Sequence, residues 1–216
     1  MLSSRNRSLI PNIEELKLLT QSLAMLDAIM TEDWQYRYFS FEANWAEGIN
    51  LFTLRTGTGD DMYIVFMATG TIIKGFAHES SISPYQFNPK RVRLGMFDGL
   101  PKIFLPIKSE PSLAFDDTTF CLWRTENNSE WQYGYIPEIE DIDGSKDLMR
   151  ILDGKPSTYR QFALVYFEKE IELSAVQAIY QHQPLNKNLI DHLNSVADLD
   201  KLRDEANRIA YPVKIN

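Results

Sequence analysis

The sequence predicts an α+β domain, in which an N-terminal helix precedes a central antiparallel meander of five to six strands with C-terminal helices packed on it. Three observations carry that expectation. Apolar residues recur at three- and four-residue spacings before residue 31, strand-like runs separated by glycine turns fill 36–76, and helical periodicity returns from Asp143 onward. No linker-like stretch divides the chain, so 1–216 is read as one domain, sheet-rich over 1–142 and helical over 143–216.

The elements follow in order. Asn12 and Glu15 form a capping-box pair ahead of a helix in which Ile13, Leu16, Leu19, Leu23, Leu26 and Met30 make one apolar stripe, ending near Thr31. From Tyr36 to Trp45 the residues alternate, with Arg37, Phe39, Phe41, Ala43 and Trp45 on one side, as a strand with one greasier face requires. Gly48 ends that strand, Asn50–Arg55 is the next, and Gly57 and Gly59 supply a turn tolerant of positive φ. Met62–Ala68 is almost uniformly apolar, which suits a central strand, and Thr69-Gly70 turns it into Thr71–Phe76. Pro84, Pro89, Pro101, Pro106 and Pro111 forbid a long element in 80–117, where Gly95–Gly99 is read as one helical turn. Thr118–Arg124 and Trp131–Ile136 extend the sheet as a hairpin across Asn127-Asn128-Ser129. Asp143-Gly144-Ser145 then caps a short helix ending at Gly154. Ser157 caps a longer one through Glu170 that turns Phe162, Val165 and Tyr166 inward. Ser174–Tyr180, Asn186–Asn194 and Asp198–Ala210 complete the helical part.

Composition narrows the function classes. A chain of this length buries roughly 70% of its unfolded surface and needs no covalent staple. The single cysteine, Cys121, excludes an internal disulfide framework and fits a reducing compartment. A net charge of −8 opposes binding driven by nucleic-acid phosphates, and the local basic run Lys90-Arg91-Val92-Arg93 reads as a solvated loop. The N-terminus lacks a signal-peptide pattern, and the longest apolar runs, Met62–Ala68 and Phe162–Phe167, are too short to span a bilayer. A cytoplasmic protein that binds neither nucleic acid nor membrane is expected, with its oligomeric state left open.

The motifs assign no chemistry. Gly57-Thr-Gly-Asp-Asp61 is followed by a strand and carries no lysine, so it is a hairpin turn and not a phosphate loop. His78-Glu79 could act as an acid–base pair, but His182 and His192 give no metal-ligand spacing with it. Asp141-x-Asp143-Gly144 starts like a calcium loop yet places Leu152 where the bidentate glutamate belongs, so a helix cap is the better reading. Cys121 sits in an apolar strand without a base, and Asp116-Asp117 has no placed carboxylate partner. No catalytic, cofactor-binding or metal-ligating residue is therefore assigned. The aromatic set Trp34, Tyr36, Tyr38, Trp45 and Tyr85 is mostly core, and any exposed remainder beside acidic residues would suit protein binding.

The order Gly57-x-Gly59-Asp60, an apolar strand, a turn with Gly70, a strand carrying Ile72 and Ile73, and then His78-Glu79 resembles the central motif of the SUKH (SMI1/KNR4-like) superfamily over roughly residues 50–80. Beyond that stretch the chain has the look of an uncharacterised bacterial protein family. The resemblance implies an α+β fold and a non-enzymatic protein-binding role, in bacteria frequently that of an immunity protein that occludes the active site of a basic toxin. On that reading Asp60, Asp61, Glu79, Tyr85 and His78, near one end of the meander, contact the partner. The alternatives are an enzyme with a site assembled around His78, Glu79 and Asp60, and a regulatory or structural adaptor that uses the C-terminal helices.

Overall fold

In the computed structural model, which describes residues 2–136 and 142–215, six antiparallel strands lie side by side in chain order. They are β1 (Phe39–Ala46), β2 (Ile49–Arg55), β3 (Asp61–Met67), β4 (Gly70–Phe76), β5 (Phe120–Thr125) and β6 (Gln132–Tyr133). The helices are α1 (Ile13–Met30), α2 (Leu105–Lys108), α3 (Ser145–Leu148), α4 (Pro156–Tyr166), α5 (Leu173–Tyr180), α6 (Lys187–Asn194) and α7 (Leu199–Ile209). The fold is α+β, with α1 before the sheet and the other long helices after it.

The capping box forms as the sequence predicts: Glu15 N donates to Asn12 Oδ1 at 3.0 Å and Asn12 N to Glu15 Oε2 at 3.3 Å. The single apolar stripe does not hold, because every residue from Leu19 to Met30 is buried. α1 is enclosed between β1 and the α5, α6 and α7 helices, so the C-terminal helices pack on the body of the protein and form no lobe of their own. The polar residues of α1 survive burial by clipping neighbouring elements. Gln21 Nε2 donates to the Ile209 carbonyl at 2.9 Å, and Ser22 Oγ to the Ile179 carbonyl at 3.0 Å. Asp27 Oδ2 accepts from the amides of Tyr38 (2.8 Å) and Phe39 (2.9 Å), and its Oδ1 accepts from the Tyr159 hydroxyl at 2.7 Å. Each buried polar atom here has a partner, which is the condition for burying it.

Both faces of the sheet are covered. Phe41, Phe52, Ile64, Ile73 and Leu122 meet the helices. Tyr63, Val65, Ile72, Cys121 and Trp123 alternate onto the opposite face and meet Ile82, Met96, Phe104, Ile107, Leu113 and Phe115 of the proline-rich 80–117 segment. β4 is consequently buried from end to end. Gly75 is required in it, since a Cβ there would lie 2.0 Å from the Phe120 ring.

Four sequence expectations need correction. β1 starts at Phe39, because Trp34–Tyr36 forms a 3-10 turn, and an irregularity between Glu42 and Ala46 sends Trp45 to the face opposite Phe39 and Phe41. Gly95–Gly99 forms successive hydrogen-bonded turns, and the helical turns fall at 102–108, after Pro101. α4 is capped by Lys155 with Pro156 at its first turn, and it ends at Tyr166, two residues before Glu168 takes a φ of 54°. Its buried face is Tyr159 and Ala163; Val165 lies about 120° round the helix from Tyr159 and is 72% exposed. A short helix does follow Asp143-Gly144, with Gly144 (φ 77°) at its N-cap and Asp143 Oδ1 accepting from Ser145 N at 2.9 Å, while Asp141 of the same motif lies outside the described residues. Among the described residues no helix is long and apolar enough to cross a membrane.

Candidate functional site

The β2–β3 turn and the end of β4 meet at one end of the sheet. Thr56 closes the turn: its amide donates to the Asp60 carbonyl at 3.1 Å, and its hydroxyl oxygen accepts from the amides of Thr58 and Asp60 at 3.2 Å each. Gly57 (φ 76°) and Gly59 (φ 105°) supply the left-handed backbone that such a tight reversal needs. Asp60 then staples the neighbouring strand end, with Oδ1 accepting from the His78 amide at 2.7 Å. The Phe76 ring stands 6.4 Å from that of His78 and 5.9 Å from that of Tyr85. All five residues expected at a partner surface therefore gather at this end, although not on one face.

Asp61 points to the loop-covered face, where its Oδ1 accepts from Lys74 Nζ at 2.8 Å. Lys74 is 1% exposed, in the middle of β4. Burial pushes the Asp61 carboxyl up from its ordinary range and the Lys74 ammonium down, and their contact opposes both shifts. Asp61 is thus half-buried and committed to Lys74. The signal for this was a lone lysine within an otherwise apolar strand, Thr71–Phe76. Tyr85 is exposed, with Lys90 Nζ 4.1 Å from its ring centroid and donating to its hydroxyl at 3.0 Å, while Lys90 also pairs with Asp117. His78 Nδ1 and Glu79 Oε1 lie 2.9 Å apart in solvent.

On the helix-covered side, Thr56, Thr58 and Asp60 form one lip of a cleft of about 820 Å³. Tyr38, Phe39 and Leu54 from the sheet, with Leu148, Ile151 and Phe162 from the helices, give it an apolar floor. Asp147, Arg150, Ser157, Thr158 and Gln161 form the facing lip. Exposed apolar groups continue the floor outward: Val165 lines the cleft, and the Tyr166 ring, 40% exposed, packs edge-on to Tyr38 at 5.0 Å and donates its hydroxyl to the Tyr36 carbonyl. Tyr36 itself is 55% exposed. Sequence periodicity missed this wall because it assigned Val165 and Tyr166 to the core, whereas the dense aromatic set had already marked Tyr36 and Tyr38.

Asp27 sets the geometry of the cleft from beneath. Its carboxylate holds the Tyr38 and Phe39 amides on one wall and the Tyr159 hydroxyl of α4 on the other. Burial pushes its carboxyl up to about 7, against the pull of those three hydrogen bonds and of Arg37. Among the described residues no group of three His, Cys, Asp or Glu side chains is placed to hold a metal ion. Cys121 is buried, and burial pushes its thiol well above the ordinary range, so it has no nucleophilic character at neutral pH. Among the described residues Glu79 is the side-chain hydrogen-bond partner of the His78 ring, and Asp60 binds the backbone of His78 and not its imidazole. An apolar trough with polar lips is suited to seating a side chain or a peptide segment. No protein-family model, curated protein or solved structure matches the chain.

Proposed function

We propose that this chain is a protein-binding module that acts without catalysis, of the kind an immunity protein provides when it occludes the active site of a toxin. The observation that carries the proposal is the cleft: an apolar floor continuous with the exposed Val165, Tyr166 and Tyr36, beside lips that bear Asp60 and Asp147. Exposed tyrosines next to a preformed trough are the usual anchors of protein interfaces. The overall charge of −8 and the carboxylates at the sheet end, Asp60 and Glu79, favour a basic partner, drawn in by long-range attraction and fixed by an apolar anchor in the trough. Arg150 on the facing lip supplies one donor for a carboxylate or carbonyl of the same partner.

The test compares recovery of a stoichiometric basic partner by wild-type protein, by an Asp60→Lys/Asp147→Lys variant and by Val165→Arg, at low and high salt. At least a tenfold loss of affinity is expected for both variants, with the wild-type complex weakened by salt. A partner held equally well by all three proteins would remove the cleft from the reading. The enzyme alternative rests on the 2.9 Å contact between His78 and Glu79. His78→Ala separates the two, since turnover by an enzyme would collapse while a binder would lose affinity at most a few-fold.

A further inference from the structure

A second concavity, of about 400 Å³, lies at the opposite edge of the sheet from β1, where the N-terminal segment runs beside β5 and β6. Arg5, Arg7 and Arg124 line it, together with Ser8, Ser129 and Glu130. Two of these guanidiniums attend one aromatic ring: the Arg7 carbon stands 4.1 Å from the Tyr133 centroid and the Arg5 carbon 5.4 Å from it. All three arginines are half-buried, and among the described residues none of them forms an ion pair. Their own hydrogen bonds are few. Arg5 donates to the Tyr133 hydroxyl and the Ile136 carbonyl at 3.4 Å each, and Arg124 Nε donates to the Asn128 carbonyl at 2.9 Å.

This arrangement is unlike the rest of the molecule. Thirty carboxylate residues face twenty-two lysines and arginines in the chain, so acidic partners are in excess. Arg37 pairs with Glu205, Arg160 with Glu170, Arg203 with Asp200 and Arg208 with Glu42, while among the described residues Arg55, Arg91, Arg93 and Arg150 have no ion pair; what sets this pocket apart is that three arginines share it. Among the described residues that line the pocket, three arginines outnumber the single carboxylate of Glu130, and a multiply charged anion seated between them would offset their mutual repulsion. Hydrogen bonding by Arg7 and then Arg5 holds the Tyr133 phenol below its ordinary range.

We propose that this pocket binds a phosphate monoester of a small molecule, its dianionic head held by Arg5, Arg7 and Arg124. Planar guanidinium forks match the oxygens of phosphate, and three of them suit a dianion better than a single carboxylate. The volume exceeds what a phosphate group alone would fill, and Ser8, Ser129 and Glu130 supply hydroxyl and carboxylate partners for a polar remainder. The site is separate from the cleft, and it stands whether or not the protein-binding reading does.

Phosphorus NMR of inorganic phosphate and of adenosine monophosphate, titrated with the full chain at constant ionic strength, tests it directly. Saturable broadening is expected for both, tighter for the ester, with acetate failing to displace either at equal concentration. Arg124→Gln, which leaves the Tyr133 stack in place, should weaken binding at least tenfold, and Arg150→Gln at the distant cleft should leave it unchanged. No saturable broadening, displacement by acetate, or equal binding by the Arg124→Gln protein would each overturn the proposal. Saturation by inorganic phosphate with no gain for the ester would overturn the small-molecule part of it and leave an adventitious anion site.

Discussion

The two faces of the sheet are equally dry but are built by different means. On the helical face, the 18-residue α1 delivers residues such as Leu23 and Leu26, both 0% exposed. On the other face no element exceeds the four residues of α2, yet Phe104 and Leu113 are 0% and 1% exposed. The difference teaches that a dry core does not need regular structure, provided that the backbone polar groups are satisfied. Local turns do this in 80–117: Phe104 N donates to Pro101 O, Ser109 N to Leu105 O and Leu113 N to Glu110 O. The prolines, which read as breakers, help by having no N–H to satisfy. The buried charges divide the same way. Asp27 on the helical side is met by amides and a phenol, whereas Lys74 on the loop side is met by the carboxylate of Asp61.

The sharpest way to break this equivalence is Phe104→Ala. If the loop layer is true core, the loss in unfolding free energy measured by urea denaturation should be about 3–5 kcal/mol, as for any fully buried phenylalanine. A loss below about 1 kcal/mol would make the segment a peelable flap and leave one real core. Next in size is Asp61→Ala, which strands the buried Lys74 ammonium and should cost about 3 kcal/mol. Adding Lys74→Met should recover most of that, because an apolar side chain of similar length needs no counter-charge at this position. Failure of the double variant to recover would mean that the pair is valued for something other than mutual neutralisation.

What was legible in the sequence follows the same division. The meander from β1 to β4 and helices α1, α5, α6 and α7 could be read because periodicity and caps such as Asn12, Asn186 and Asp198 are local signals. The packing of 80–117 was not, since Phe104, Ile107, Leu113 and Phe115 follow no period and their burial is decided by the sheet they meet. At the candidate site, the gathering of Asp60, Asp61, His78, Glu79 and Tyr85 at one end followed from hairpin geometry alone. Which face each takes did not, and Asp61 turned inward because the alternation of β3 sets it beside Lys74. The far wall of the cleft lies about ninety residues downstream in α3 and α4, where only tertiary contact brings Arg150 and Phe162 opposite Asp60.

The smallest expected effect comes from the titration of Asp27. The carboxyl of Asp27 rises on folding from 3.8 to about 7, chiefly because burial penalises its charge. The native state therefore holds a proton that the unfolded chain releases, and between pH 4 and 7 it binds more protons than the unfolded state. Stability from this group is fully present below pH 4 and is lost as pH rises through 7, by about 1–3 kcal/mol between pH 5 and 8. Asp27→Asn should flatten the pH profile of unfolding free energy. The Tyr38 and Phe39 amides and the Tyr159 hydroxyl all donate to Asp27, so ionisation strengthens these bonds, and the stability lost is the cost of burying the charge. A profile that is flat in the wild type, or one in which stability rises with pH and Asp27→Asn abolishes the rise, would mean that the three hydrogen bonds outweigh burial and hold Asp27 ionised.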